Sequence, residues 1–589
     1  MHRQSLMATR MRTKDLIGAS DATNAFMENA FSVEAWGGAT YDTAYRFLKE
    51  SPWKRLKLLR QHMPNTLIQM LLRASNAVGY SNYPDNVVKK FIEEASQKGV
   101  DVFRIFDSLN WVENMKMPIE TALKTGKIVE GTICYTGDIT DPNETKYTLD
   151  YYVKKAKELE SLGVHIFTIK DMAGLVKPYA AKKLISALKE ELNIPVNLHT
   201  HDSTGNGVST LLMASEAGLD IADCAIGSMS SMTSNPCMNS LVEALKGTER
   251  DTGLNPDELT ELSQYYARIR PIYKQFESGM DAPNTEIYKY EIPGGQYSNL
   301  LAQVKEMGAA EDFEEIKGLY KDANQLLGNI VKVTPSSKVV GDFAIFMFKN
   351  GLTKENILEV GKDLSYPDSV VEYFEGMIGQ PEGGFPEELQ KIVLKDKKPI
   401  DVRPGSLLPD EDFDYIAKGL KENFYTENME DPDILSQKTL SYALYPKVYE
   451  DYCRHFEAYN DVTGLESHVY FYGLRKGEET TLKLDEGKYL IIKFIDMTEP
   501  DEDGYRLLDF EVNGSIREIK VLDKNLEVKT DRRVKADKSN PAHLGSTIPG
   551  TVGKVLVNEG DEVTVNMPLM TVEAMKMETT VVSTVKWQS

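Results

Sequence analysis

The chain has 589 residues, of which 41% are hydrophobic and 27% charged, and its formal net charge is −22. A chain of this length is expected to form several domains, since single cores seldom exceed about 250–300 residues. The acidic balance disfavours a nucleic-acid surface, which needs concentrated Lys and Arg, and no apolar run is long enough to cross a membrane.

The cysteines and the opening segment limit the cellular context. Four cysteines, Cys134, Cys224, Cys237 and Cys453, are scattered and form no C-x-x-C pair. This usage suits a reducing cytoplasm and gives neither a disulfide framework nor a zinc knuckle. The basic opening, residues 1–14, lacks the apolar centre and cleavage site of a signal peptide.

The first third of the chain alternates short β-branched runs with amphipathic stretches. The runs are 32–36, 66–73, 101–107, 128–135, 165–170, 195–199 and 220–226, and the amphipathic stretches include 86–98, 149–162, 179–191 and 208–217. This alternation predicts βαβ units and a parallel sheet. The runs are almost continuously apolar, as is typical of strands covered on both faces.

Seven such units are visible, whereas a (β/α)₈ TIM barrel has eight. We therefore predict an α/β fold containing a TIM barrel whose first strand lies upstream of Met1, with residues 10–25 as its first helix. In such barrels the chemistry gathers at the carboxyl ends of the strands.

Polar residues follow several of the predicted strands, namely Arg73, Asp107, Lys170, His199 and His201. Residues i and i+2 of a strand share a face, so both imidazoles of His199-Thr200-His201 can reach one metal ion. Alternatives stay open from the residues alone: a structural H-x-H, a salt bridge of Arg73 at the core rim, and a helix cap by Asp107. Their joint placement at strand ends favours a site.

Beyond about residue 285 the βα rhythm stops and helical patterns dominate, as in 300–306, 313–327 and 342–350. The Pro-rich, charged sequence at 379–413 predicts an irregular wrap or a domain boundary. Alternating strands return between 466 and 529, for example 488–496 and 506–512, and residues 532–545 are typical of a flexible tether.

Many stretches of the sequence are similar to pyruvate carboxylases, and they occur in that family's order along almost the entire chain. They are QSLMATRMRT, WGGATYDTAYRF, QMLLRASNAVGYSNYPDN, FRIFDSLN, TIKDMAGL, LHTHDSTGNG, SMSSMTSNPCMNS, EIPGGQYSNL, KVTPSSKVVGD, RPGSLLPD, DFEVNGSIREI and EAMKME. The chain thus resembles the carboxyltransferase half of this family, followed by an incomplete biotin-carrying domain.

The resemblance implies four domains. These are the carboxyltransferase barrel at 1–285, its helical extension or funnel at 286–435, a small linker domain associated with tetramer formation at 436–535, and a partial biotinyl domain at 545–589. Met575-Lys576-Met577, with Pro549-Gly550 and Gly560-Asp561 upstream, matches the family's biotin attachment sequence, so biotin is expected on Lys576.

The resemblance also assigns roles to individual residues. The metal, zinc or manganese, is expected on His199, His201 and a carbamylated Lys170. Gln4 and Arg73 match the family residues that hold the substrate pyruvate. Asp42, Tyr80 and Ser337 match residues of the biotin pocket, and Thr334 matches the threonine that shuttles the proton. From the sequence alone, Thr334 is better interpreted as a helix cap, since Thr-Pro-Ser-Ser favours capping.

The implied reaction transfers a carboxyl group from carboxybiotin to pyruvate, which gives oxaloacetate through a metal-stabilised enolate. No ATP-grasp or P-loop pattern is present, so a biotin carboxylase domain on another polypeptide is an expected partner, within the homotetramer typical of the full-length family. Two alternatives are retained: the α subunit of a biotin-dependent oxaloacetate decarboxylase, and an inactive fragment that acts only in assembly.

Both ends depart from the family pattern. The opening motif R-D-A-H-Q-S is represented only by Met1-His2-Arg3-Gln4-Ser5, with Met1 where a metal-binding aspartate belongs, so we expect a weakened or empty metal site. Only 13 residues (589 − 576) follow Lys576. We therefore expect poor folding of 545–589 and inefficient biotinylation, because an isolated β-ribbon is marginal in water.

Overall fold

A computed structural model of the chain describes residues 5–277, 279–424, 428–524, 536, 543–545, 551–558, 560–574, 577–583 and 585–588. The chain divides into two compact units, Met1–Ala458 and Tyr459–Ser589. No helix among the described residues combines the length and apolarity needed to cross a bilayer.

The first unit is built on a seven-stranded parallel sheet whose strands follow one another in chain order. The strands are β1 (Val33–Gly37), β2 (Ile68–Leu72), β3 (Val102–Phe106), β4 (Ile128–Cys134), β5 (Ile166–Asp171), β6 (Val196–Thr200) and β7 (Ile221–Ala222). Strands β2, β3, β5 and β6 are buried along their whole length, as expected of strands covered on both faces. All seven predicted strands are confirmed, although β7 is shorter than the predicted run at 220–226.

Helices cover the outer face of this sheet. They are α1 (Thr13–Ile17), α2 (Ser20–Phe26), α3 (Ala39–Thr43), α4 (Pro52–His62), α5 (Asp85–Lys98), α6 (Val112–Lys124), α7 (Leu149–Ser161), α8 (Pro178–Glu191), α9 (Gly207–Glu216), α10 (Met238–Leu245) and α11 (Pro256–Ile269). In α5, buried Val88, Ile92 and Ala95 recur every three to four residues, which is the apolar stripe that seats a helix on a sheet.

The predicted single helix over 10–25 is wrong, since the segment forms the two short helices α1 and α2. The interruption falls at Gly18, a residue of low helix propensity. A Cβ atom at this position would collide with the hydroxyl of Tyr265 in α11. Glycine therefore allows the close approach of α11 at the point where the helix ends.

Strands β1 and β7 form the two edges of the sheet and do not pair with each other in the described part of the chain. A cavity of about 550 Å³ lies between them, lined in part by Glu34, Gln69 and Asp223, and covered by apolar residues of α10 such as Leu241. The sheet is thus curled like a barrel but open at this side.

A helical extension follows the barrel and has its own apolar core, which includes Tyr320, Phe343 and Phe374. Its helices are α12 (Ile287–Tyr290), α13 (Gly294–Glu306), α14 (Phe313–Leu326), α15 (Ser336–Asn350), α16 (Ile357–Val360), α17 (Asp368–Glu375), α18 (Glu387–Leu394) and α19 (Phe413–Asn423). The predicted change from βα units to helices after residue 285 is confirmed.

Two further helices, α20 (Pro432–Leu444) and α21 (Pro446–Tyr459), return to the start of the barrel. The hydroxyl of Ser441 in α20 lies 2.8 Å from that of Tyr41, 2.9 Å from that of Tyr45 and 3.1 Å from Trp53 Nε1. One buried hydroxyl thus serves three aromatic side chains of the first βα segment.

The second unit contains α22 (Ser467–Tyr472) and an antiparallel sheet in the order β11-β10-β9-β8. These strands are β8 (Glu479–Asp485), β9 (Lys488–Met497), β10 (Tyr505–Val512) and β11 (Ser515–Leu522), which confirms the predicted strands at 488–496 and 506–512. The remaining strands are β12 (Thr551–Val555), β13 (Glu562–Val563), β14 (Pro568–Ala574), β15 (Met577–Val582) and β16 (Trp587–Gln588). Strands β14 and β15 form a hairpin in which Ala574 pairs with Met577.

Candidate active site

The parallel register places the predicted metal ligands side by side. Lys170 of β5 and His199 of β6 are partners across the two strands, and His201 follows directly after β6. All three side chains are buried at the carboxyl ends of the strands. The sequence prediction that these residues share one site is consistent with this placement.

Each imidazole is oriented by a hydrogen bond at Nδ1. His199 Nδ1 lies 2.7 Å from Asp223 Oδ2, and His201 Nδ1 lies 2.7 Å from the carbonyl oxygen of Thr233. A carbonyl oxygen only accepts, so Nδ1 of His201 must donate, and the lone pair of that ring is on Nε2. The two Nε2 atoms are 3.4 Å apart and therefore face the same point.

Burial sets the charge state of these groups. Burial, followed by the charge of Lys170, lowers the pKa of His201 to about 3 and that of His199 well below its usual range. Burial also lowers the pKa of Lys170. Neutral imidazoles with exposed Nε2 lone pairs are the form in which histidine binds a metal.

The residues fit a divalent cation if Lys170 is carbamylated. In the described part of the chain, no three His, Cys, Asp or Glu side chains form a metal-binding group. Two imidazoles are present, and a third donor is needed for a stable centre. A lysine ammonium repels a cation, whereas its carbamate is an anionic oxygen donor, so a modified Lys170 would supply the third donor beside the two imidazoles.

A buried ionic cluster behind His199 was missed by the sequence analysis. Arg104 of β3 contacts three carboxylates: Glu130 at 2.6 Å, Glu34 at 3.2 Å, and Asp223 through both terminal nitrogens. The sequence contains a sign of this cluster, because Arg104 in FRIF and Glu130 in VEG are charged residues inside apolar strands. Burying a charge is costly unless it is paired, which is the same argument that applies to Arg73 and Lys170.

Arg73, directly after β2, is held on the wall of the site. Its Nη1 atom donates to the carbonyl oxygens of Val78 at 2.7 Å and Gly79 at 3.1 Å. Its buried Nε has no hydrogen-bond partner, and its guanidinium no ion pair, among the described residues. The salt-bridge interpretation is therefore not supported, and the open donor suits an anionic ligand. Asp107, by contrast, accepts from the backbone of Leu109 and Trp111 and stabilises the loop before α6.

The predicted biotin-pocket residues Asp42 and Tyr80 lie near a further arginine. Asp42 is fully buried, and its Oδ1 accepts from Arg46 Nε at 2.9 Å. The guanidinium of Arg10 stacks on Phe47, 3.4 Å from the ring centroid. Burial lowers the pKa of Arg10 to about 10, against the opposing charges of Asp42 and then Tyr80. Arg10 was missed because it lies in an irregular segment, although it belongs to the family-like stretch QSLMATRMRT.

Thr334 lies in a segment that is fixed over the carboxyl ends of β3 and β4. Lys332 contacts Thr136, just after β4, at 3.0 Å, and Ser336 Oγ lies 3.2 Å from the carbonyl oxygen of Ser108, just after β3. Thr334, between these anchors, is half-buried, and Ser337 is buried.

The helix-cap interpretation of Thr334 is wrong. Helix α15 begins at Ser336 with Pro335 in the N-cap position, and no side chain caps it. Ser336 Oγ instead lies 2.6 Å from the carbonyl oxygen of Val331 and 2.7 Å from that of Val333. This hydroxyl therefore stabilises the loop before the helix and does not cap the helix.

Gln4, Met1, His2 and Lys576 lie outside the described residues, so the predictions for the pyruvate contact, the opening of the metal site and the biotin attachment site stay predictions. The nearest described segment is linked to the site through Thr233. Its hydroxyl donates to the carbonyl oxygen of Ser5 at 3.0 Å, while its own carbonyl oxygen accepts from His201.

Three family models match the chain: an HMGL-like domain over residues 85–265, a conserved carboxylase domain over 287–493 and a biotin-requiring enzyme domain over 541–586. Together with the curled parallel sheet and the strand-end imidazoles, these matches define the class as an HMGL-like barrel joined to a carboxylase extension.

The chain is 52% identical over 578 residues to pyruvate carboxylase of Bacillus subtilis, and 50% identical over 579 residues to that of Staphylococcus aureus. Each alignment covers 98% of this chain but 50% of the relative, so the chain spans about half the length of these relatives. The carboxyl transferase domain of Rhizobium etli pyruvate carboxylase, solved with pyruvate and biocytin, is 45% identical with a TM-score of 0.84, over 89% of this chain and 87% of that one. The chain belongs to the pyruvate carboxylase family.

Proposed function

We propose that this chain carries out the carboxyl-transfer half-reaction of pyruvate carboxylase, moving a carboxyl group from carboxybiotin to pyruvate and forming oxaloacetate. The observation that carries the proposal is the convergence of His199 Nε2 and His201 Nε2, 3.4 Å apart, beside buried Lys170. The similarity to a carboxyl transferase domain solved with pyruvate and biocytin supports the choice of substrates.

Lys170 is proposed to be a metal ligand after carbamylation. Its neutral amine attacks carbon dioxide, a C–N bond forms and one proton is released, which leaves an anionic oxygen donor beside the imidazoles. A divalent cation held by His199, His201 and this carbamate, zinc or manganese as in the resembled family, would act as a Lewis acid on the keto group of pyruvate and stabilise its enolate.

Arg73 is proposed to bind the substrate carboxylate. Its two backbone acceptors fix the guanidinium plane, and its buried Nε donor remains for a ligand. Arginine presents N–H groups in a planar fork that matches a carboxylate, which orients pyruvate as well as binding it. Gln4 is proposed to contact the same substrate.

Thr334 is proposed to move the proton that the reaction transfers. The pyruvate methyl carbon loses a proton and gains a bond to the carboxyl carbon, while the bond between that carbon and the biotin nitrogen breaks. The proton must end on that nitrogen. The Thr334 hydroxyl both donates and accepts, so it can pass the proton across, provided that it reaches both groups.

Biotin is proposed to be carried on Lys576 and to enter a pocket formed by Asp42, Tyr80 and Ser337, with Arg10 as an added wall. The biotin-requiring domain match supports the cofactor. Charging of biotin is assigned to a biotin carboxylase component outside this chain, and assembly as a homotetramer is part of the same proposal.

The test is metal content together with decarboxylation of oxaloacetate in the presence of free biotin. Bound zinc or manganese and biotin-stimulated decarboxylation are expected, and both should be lost in His199→Ala and His201→Ala. His62→Ala, which changes a histidine on the exposed end of α4, should behave as the unmodified chain. A chain that binds metal yet shows no biotin-stimulated reaction would refute the proposal, and a chain with neither would support the assembly-only alternative.

A further inference from the structure

Arg104 is the centre of a buried ionic cluster within the curled sheet. Its side chain is 1% exposed, and its Nε donates to Glu130 while its Nη1 contacts Glu34. Two further contacts join it to Asp223 through both carboxylate oxygens, with Nη2 lying 3.1 Å from Oδ1, and Nη1 is also 3.5 Å from His199 Nδ1. A guanidinium only donates, so each of these carboxylate oxygens accepts.

Asp223 connects this cluster to His199. Its Oδ2 accepts from Arg104 and also lies 2.7 Å from His199 Nδ1. Its two oxygens face the two terminal nitrogens of Arg104, which only donate, so both oxygens of the carboxylate accept. It follows that the hydrogen between the two groups belongs to His199 Nδ1.

We propose that Asp223, held by Arg104, is a positioning residue that keeps the His199 proton on Nδ1 and so leaves the Nε2 lone pair facing Lys170 and His201. The role toward a metal rests on the function proposed above, whereas the role in proton placement does not. When the group that accepts a hydrogen bond from the other ring nitrogen of a ligating histidine is removed, metal affinity typically changes by about 10–100-fold.

His201 achieves the same proton placement in a different way. Its Nδ1 donates to the backbone carbonyl oxygen of Thr233, a partner that no side-chain substitution removes. Of the two imidazoles, His199 is therefore the one whose proton position depends on a side chain. His201 serves as an internal control in the same molecule.

Asp223→Ala removes the carboxylate that Arg104 and His199 share. Arg104 Nη1 lies 3.5 Å from His199 Nδ1 and is the charged donor left beside that nitrogen once the carboxylate is gone. A guanidinium only donates, so Nδ1 must then accept and the proton moves to Nε2.

The experiment uses the metal-free full chain with ¹⁵N-labelled histidine, and follows ring proton positions by long-range ¹H–¹⁵N correlation. The chain has eight histidines, so single His→Gln variants can assign the signals. In the unmodified chain both His199 and His201 should carry the proton on Nδ1. In Asp223→Ala, His199 should change to Nε2–H, His201 should not change, and zinc binding should weaken about 10–100-fold.

Asp220→Ala is the matched control, since Asp220 lies three residues earlier and accepts from Lys189 and the Val196 backbone outside the cluster. It should alter neither tautomer nor zinc binding. An Nε2–H tautomer of His199 in the unmodified chain would overturn the proposal without any variant, which covers a variant that fails to fold. An unchanged tautomer in Asp223→Ala, or an inverted tautomer with unchanged zinc affinity, would also overturn it. If the unmodified chain binds no zinc, the metal part of the proposed function fails, and the tautomers still decide the role of Asp223.

Discussion

Lys332 Nζ lies 2.7 Å from Glu291 Oε2, and this ion pair connects the start of the helical extension to the segment that carries Thr334. The Lys332 side chain is 2% exposed and also contacts Thr136 on the barrel. The pair thus holds the extension in place over the carboxyl end of β4.

Lys332→Met should destabilise the first unit, because it leaves the Glu291 carboxylate without its cation. Removing one partner of a buried pair costs about 3–5 kcal/mol. Urea unfolding should show this loss, and the exposed Lys398→Met should not. Adding Glu291→Gln to Lys332→Met should recover part of the loss. Additive costs in this double-mutant cycle would contradict the coupling.

Arg73→Lys should weaken pyruvate binding while leaving the fold intact. Lysine keeps the charge but loses the planar fork and the buried Nε donor. A hydrogen bond from that donor to a charged group is worth about 1.5–3 kcal/mol. We expect KM for oxaloacetate in biotin-stimulated decarboxylation to rise about tenfold or more. Arg268→Lys, an exposed change on α11, is the control, and equal KM values for the two variants would refute the role of Arg73.

Lys170 should carry a carbamate. A chain equilibrated with ¹³C-labelled bicarbonate should show a carbamate carbon by NMR that is absent in Lys170→Met. Zinc binding should strengthen as bicarbonate is added, since the modified side chain supplies the anionic donor. Lys177→Met, at the N-cap of α8, should retain the signal. A carbamate signal that persists in Lys170→Met would assign the modification elsewhere.

Lys146 should make the free energy of unfolding depend on pH in the alkaline range. Burial lowers its pKa from 10.5 to about 8, so between these values the unfolded chain binds the proton and the folded chain does not. The free energy of unfolding should therefore rise with pH from about 8 to 10.5, by less than the full linkage slope for one proton, because solvent screens this partly exposed group. In Lys146→Met this rise should be absent, and in the exposed Lys182→Met it should remain. A rise that persists in Lys146→Met would contradict the assignment.

Ser441→Ala should destabilise the contact between α20 and the start of the barrel. Tyr41, Tyr45 and Trp53 share the Ser441 hydroxyl, but Trp53 Nε1 also donates to the Tyr41 hydroxyl at 2.9 Å and keeps that bond. The expected loss is therefore that of about one hydrogen bond, on the order of 0.5–1.5 kcal/mol. Thermal unfolding should show this loss. Ser436→Ala, on the same helix and less buried, should change stability by less than about 0.5 kcal/mol. Equal effects of the two substitutions would argue against the shared hydroxyl.

The sequence was sufficient to predict the strands and the residues at their ends. Lys170, His199 and His201 could be found because a charged or ligating side chain at the end of an apolar strand is costly unless it is used. Arg104, Glu130 and Asp223 follow the same rule, but their partners lie on different strands. Which charges meet is decided by the sheet register, and a single sequence does not show that register directly.

Two local interpretations failed because tertiary contacts override local preference. The helix over 10–25 is divided at Gly18 by the approach of Tyr265, which lies far along the chain. Thr334 does not cap the helix, because the helix begins at Ser336 and the hydroxyl of Ser336 donates to the carbonyl oxygen of Val331 in the preceding loop. Domain boundaries and the roles of the site residues remain predictions, and Gln4 and Lys576 lie outside the described residues.

Because of Thr233, the positions of the two imidazoles differ in how strongly they respond to a movement of the neighbouring chain. The backbone of this residue orients His201, and its side chain holds the carbonyl oxygen of Ser5. A displacement of the chain near Ser5 would therefore reach His201 first, through Thr233, whereas Asp223 orients His199 from the sheet interior. Asn235, two residues beyond Thr233, lies 3.5 Å from His199 Nε2 and donates to the carbonyl oxygen of Thr200, so the supports of the two rings meet in one loop.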